Sequence, residues 1–157
     1  MTKAYQQTEV PVSRSKEAIE KLLRDHGVGA IRTTSLPAGA IVEFLRSDHG
    51  RQIPYRIDVT PKPRWDVRDD IAEYNRAERQ VWRVLYHHLK ALFTAIDFGL
   101  MEFHDAFLAN LVLADTRGNR GTVGEILGAR LANGPAVIES DPFHGLMPAL
   151  PPAPDRE

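Results

Sequence analysis

The chain has 157 residues, 43% of them hydrophobic, enough for one globular domain with a real core. Its 20 basic and 21 acidic residues leave a formal charge of −1, which excludes a surface coated in positive charge for bulk nucleic-acid binding. The absence of cysteine excludes disulfides and thiolate zinc sites.

The opening MTKAYQQTEV lacks the apolar centre of a signal peptide. No apolar run reaches the roughly 20 residues that a bilayer requires. The expectation is a soluble, cytoplasmic protein with no membrane partner. Tyr5 to Val12 reads as an edge strand, because Pro11 cannot donate to a ladder. Ser13 or Ser15 then caps a helix through His26, with Ala18, Ile19, Leu22 and Leu23 inward and Gly27 as its stop. Val28–Thr34, Ala40–Arg46 and Arg51–Val59 form a meander, turning at Leu36–Gly39 and Ser47–Gly50. In the third strand Ile53, Tyr55, Ile57 and Val59 alternate with polar residues, so one face is buried.

A long helix follows from Asp69 to Asp97 and stops at Gly99. Ile71, Tyr74, Val81, Trp82, Leu85, Leu89, Leu92 and Ile96 recur on it at the steps of an apolar stripe. Arg76, Arg79, Arg83, His87 and Lys90 recur at the same steps, within about 80° of helix surface almost opposite that stripe. One face therefore seals a core and the other presents a basic rail. Glu102–Leu111 is predicted as a short helix, and Asp115–Gly121 as a polar loop. Thr122-Val123-Gly124-Glu125 is a capping box that opens a last helix through Leu131. From residue 133 the chain is proline-rich and reads as a flexible tail, so the domain occupies residues 1–132. Strands followed by helices define an α+β fold: an antiparallel sheet (strand-helix-meander) packed by the long amphipathic helix through its Trp82 face, then short C-terminal helices.

The residues Arg79, Trp82, Arg83, Lys90, Gly99, Phe103, Phe107, Leu108, Asp115, Thr122, Val123, Gly124 and Glu125 form a recognisable series. In this series the chain resembles a family of small uncharacterised proteins encoded by bacteriophages and prophages. The layout of residues 8 to 131 is similar to that family; the loop Thr116–Arg120 is longer, and the proline-rich tail has no counterpart. The resemblance implies no activity. It implies a viral or mobile-element setting, in which DNA handling and counter-defence against a host are common tasks.

Arginine and lysine along one helix face can meet successive phosphates, because affinity for nucleic acid is mostly phosphate neutralisation. Arg32, Arg46, Arg51 and Arg56 extend the patch if their strands face the same way; otherwise the rail is a solvated face. The loop with Arg117 and Arg120 leads into a helix N-terminus and can hold an anion, though it lacks the Gly-Lys-Ser/Thr ending of a Walker loop. A plain capped turn is the alternative. Glu78 falls inside the apolar stripe, where a carboxylate needs a partner: an arginine from the sheet, exposure at an overhang, or a pocket that raises its pKa. His87, His88, His104, Asp105 and Asp115 have ligand chemistry, but His87 and His88 project about 100° apart and cannot share one ion. There is no Gly-x-Ser-x-Gly turn for a serine nucleophile. No pattern asks for a cofactor.

The expected function is that of a small, non-enzymatic, phage-type accessory protein. It binds nucleic acid, a nucleotide or another phosphorylated ligand through Arg76, Arg79, Arg83, His87, Lys90, Arg117 and Arg120. The alternative is a protein-binding module or an inhibitor of a host defence factor, acting through a sheet edge or the tail. In the tail, Phe143, Leu146, Met147 and Leu150 suit a partner groove, a second subunit of a homodimer, or the chain's own sheet.

Overall fold

A computed structural model describes residues 5, 8–61, 71–114 and 118–133. Of the tail expected over 133–157, residues 134–157 lie outside the described residues, as do Asp69, Asp115 and Arg117. Among the described residues the first regular element is a helix, α1 (Val12–Asp25), and not a strand. Pro11 sits at its N-cap with φ −59° and ψ 148°, so the fixed proline ring leads the chain into the helix. Neither serine caps it: no side-chain bond is made at the N-cap, and the buried Ser15 Oγ has no hydrogen-bond partner among the described residues. Ser15 is a small residue inside a packed face, beside Ile19 and Leu23. Gly27 ends α1 at φ +82°, and His26 Nδ1 lies 2.8 Å from the Leu22 carbonyl.

The meander forms as read, with longer strands: β1 (Val28–Leu36), β2 (Gly39–Asp48) and β3 (Arg51–Val59). All pairs are antiparallel and β2 is central. The β2–β3 turn uses positive φ at both His49 and Gly50, the backbone a two-residue hairpin demands. Pro54 lies on an outer strand, where its missing N–H costs no ladder bond.

The long helix α2 (Ile71–Asp97) buries Trp82, Leu85, Leu89 and Phe93. Ile71 is 67% exposed, so the apolar stripe overhangs the core at its start. Gly99, at φ +70°, ends the helix while Leu100 N–H donates to the Ala95 carbonyl at 2.9 Å. Helix α2 runs beside α1, with Lys16 over the Trp82 ring and His26 stacked on Phe93 at 4.0 Å. It reaches the sheet largely through a shared aromatic cluster. Phe93 meets Phe103 and Phe107, and these meet Tyr55 and Phe44 at centroid distances of 4.6–6.1 Å.

The expected helix over 102–111 is two pieces, α3 (Phe103–Ala106) and a 3-10 turn (Leu108–Asn110). Phe103 and Phe107 are inserted into the core while Leu108 stays exposed, so one continuous face is not needed. A small hairpin then forms where a plain loop was expected, β4 (Val112–Ala114) with β5 (Arg120–Thr122). It leads into α4 (Val123–Asn133).

The capping box is present in full. Thr122 N–H donates to Glu125 Oε2 at 2.8 Å, and Glu125 N–H donates to Thr122 Oγ1 at 3.2 Å. The bond from Thr122, opposed by burial and assisted by Arg56, holds the Glu125 carboxyl below the ordinary carboxylate range. A depressed folded pKa stabilises above the unfolded value and is lost as pH falls through the folded one. Thr122→Ala should cost about 1 kcal/mol in urea unfolding at pH 7. Glu125→Gln, which removes the titrating group, should flatten the loss of stability in acid. No cost from Thr122→Ala, or an unaltered acid dependence in Glu125→Gln, contradicts the cap.

Candidate functional site

The rail residues lie on α2 as the spacing requires, but unequally exposed. Arg76 and Lys90 are exposed, and Arg79, Arg83 and His87 are half-buried. Three residues before Trp82, Arg79 projects only about 60° from it, which places it on the flank of the buried face. Its Nε is buried with no hydrogen-bond partner among the described residues. The Arg83 guanidinium lies over the Tyr86 ring, 5.1 Å from its centroid.

His87 stacks on Tyr5 with centroids 4.8 Å apart and planes within 6°. Its Nε2 is buried and has no hydrogen-bond partner among the described residues. Burial, and then the charges of Arg83 and Lys90, push its pKa below the ordinary 6.5. His87 is thus a neutral aromatic plane between cations at pH 7, not a fifth charge. An NMR titration should place its midpoint below 6.5, and Tyr5→Ala should raise it by re-exposing the ring. A midpoint at or above 6.5 in the unmodified protein contradicts this account.

Among the described residues, Arg76, Arg79, Arg83 and Lys90 are in no ion pair; of the sheet arginines Arg32 and Arg56 are paired, whereas Arg46 and Arg51 are not. Arg32 donates to Glu43 at 2.7 Å, and Arg56 pairs with Glu125. These two point away from α2, on the outer face of the sheet, and Arg46 lies over Phe103 at 4.1 Å. Arg32, Arg46 and Arg56 therefore do not extend the rail. Arg120, at the start of β5, is also remote: it lines a cleft on that same outer face. The fold brings Arg76, Arg79, Arg83, His87 and Lys90 together and leaves Arg120 across the sheet. An anion cradle at the start of α4 is already used internally, since Glu125 takes the Thr122 N–H.

Glu78 is half-buried and pairs with no arginine of the sheet among the described residues. It lies with Glu9, Pro11, Val12, Asn75 and Arg79 in a shallow depression where the chain enters α1. Burial, and then the Glu78 charge, raise the pKa of Tyr74. Among the described residues no three His, Asp or Glu side chains converge on a metal position. None of the described helices is long and apolar enough to cross a membrane.

Compared with family models, curated proteins and solved structures, the chain matches none. The α+β class and the geometry of these faces therefore carry the functional argument.

Proposed function

We propose that this is a small, non-enzymatic accessory protein of the phage-encoded type that binds nucleic acid through the basic face of α2. The observation that carries it is the clustering of unpaired cations on one helix. In a chain with one acid more than it has bases, the sheet arginines Arg32 and Arg56 hold carboxylates, while Arg76, Arg79, Arg83 and Lys90 hold none among the described residues. Four cations on one helix, none in an ion pair among the described residues, favour a local positive field despite the neutral whole. From Arg76 to Lys90 the rail runs about 21 Å, on the order of six phosphate spacings along one strand of a duplex, which suits a polymer better than a mononucleotide. The test is anisotropy of a labelled oligonucleotide as rail cations are removed.

A second reading rests on the sheet edge. Among the described residues β1 pairs only with β2, so nine residues of strand have an open side. An added strand with a carboxylate opposite Arg32 would continue the alternation Arg32–Glu43–Arg56. A host protein or a second copy could supply it. Hydrogen exchange of β1 amides in an isolated complex decides: new protection supports edge addition, and unchanged exchange excludes it.

A further inference from the structure

The outer face of the sheet carries two adjacent cross-strand rows. Ala30, Leu45 and Pro54 stand in register, and two residues along the strands so do Arg32, Glu43 and Arg56. The first row is apolar and fully polar-free in its side chains; the second is a charge ladder. Leu45 is 37% exposed, and Ala30 and Pro54 are exposed beside it, so this row has no cover among the described residues. The hairpin closes one side with Val112, Ala114 and Arg120, making a cleft of about 580 Å³. The charges there are unbalanced. Arg32 holds Glu43 and Arg56 holds Glu125, but Arg120 holds no carboxylate among the described residues.

We infer that this cleft is a binding site for a small amphipathic anion, its apolar body on Ala30, Leu45 and Pro54 and its charged head on Arg120. Two strand spacings make the apolar row about 10 Å long, the scale of a medium-chain or aromatic carboxylate. An apolar floor with few placed polar groups is the common form of a small-molecule site. The charge ladder beside it favours one orientation: Arg32 and Arg56 already hold carboxylates, whereas Arg120 holds none among the described residues and gains a charge-assisted bond when an anion arrives. The site is independent of the rail, which lies on α2 across the sheet.

The probe is octanoate, followed by amide NMR shifts and calorimetry on the full chain, with acetate and 1-octanol as controls. Octanoate should saturate with shifts at Ala30, Leu45, Ala114 and Arg120. Each control, lacking the apolar body or the charge, should bind at least about tenfold more weakly. Arg120→Gln should weaken octanoate by about tenfold, the scale of one charged hydrogen bond. Leu45→Glu, on an exposed position, should abolish binding while the remaining spectrum stays native. Substituting the rail should change nothing here. No saturation by about 10 mM octanoate overturns the site, since such weak binding means no cooperating head and tail contacts. So does equal binding by Arg120→Gln, or saturable shifts confined to other exposed apolar residues such as Phe98 and Leu100.

Discussion

Trp82→Ala is expected to destabilise the protein by about 3–5 kcal/mol, the range for removing a large aromatic side chain from a packed core. Trp82 is 1% exposed, at the point where α2 meets α1. The substitution removes its apolar area from the core and leaves a void that a long, straight helix cannot close by moving locally. Domains of this size have about 5–15 kcal/mol of stability, so roughly a fifth or more of the total is at stake. The urea midpoint should fall strongly. Trp82→Phe is the informative control. The indole Nε1 has no hydrogen-bond partner among the described residues, so this change sacrifices volume and no hydrogen bond. It should cost much less than alanine. A midpoint unaltered by Trp82→Ala would refute the assignment of helix faces on which both the core and the rail depend.

Those faces were legible because α2 is long and strictly periodic. Trp82, Leu85 and Leu89 recur at helical steps, and each is buried. The meander was legible for a related reason: β3 alternates residue by residue, and glycine marks its turn. The capping box was legible because Thr122 and Glu125 bond each other across three residues, with no help from the rest of the fold. Phe93 was missed on the stripe, since its burial depends on Phe103 and Phe107 arriving from another segment. The strand expected over Tyr5–Val12 gives way to the entrance of α1 because a proline between two valines fits a strand edge and a helix entrance equally well. Only the amphipathic register of Val12, Ser15, Ile19 and Leu23 separates the two.

The candidate sites divide along the same line. The rail sits on one helix, so spacing alone assembled it. Its unequal burial did not show in spacing, because the position of α1 and of Tyr5 decides it. The outer-face cleft needs the register between three strands and a hairpin whose strands have three residues each. No local signal carries that register. The loop of Arg120 offers phosphate chemistry in the sequence because it leads into a helix N-terminus, but only the fold shows that the sheet stands between Arg120 and the rail.

The measurement that reaches furthest into the account is the salt dependence of oligonucleotide binding, with and without the rail. Arg76, Arg83 and Lys90 should be replaced together by glutamine, a helix former close to both arginine and lysine. Arg79 is best left in place, since its buried Nε makes a fold effect harder to separate. None of the three replaced side chains is in an ion pair among the described residues, so the thermal melt should move little. For the unmodified protein, log affinity should fall linearly with log salt, with a slope of about −3 to −4 for duplex DNA, one unit for each cation on a phosphate. The triple variant should lose at least about tenfold in affinity at low salt, and its slope should flatten to about −1. Absence of binding by the unmodified protein at low salt, or a triple variant with the same affinity and the same slope, contradicts the proposal that α2 is a nucleic-acid face.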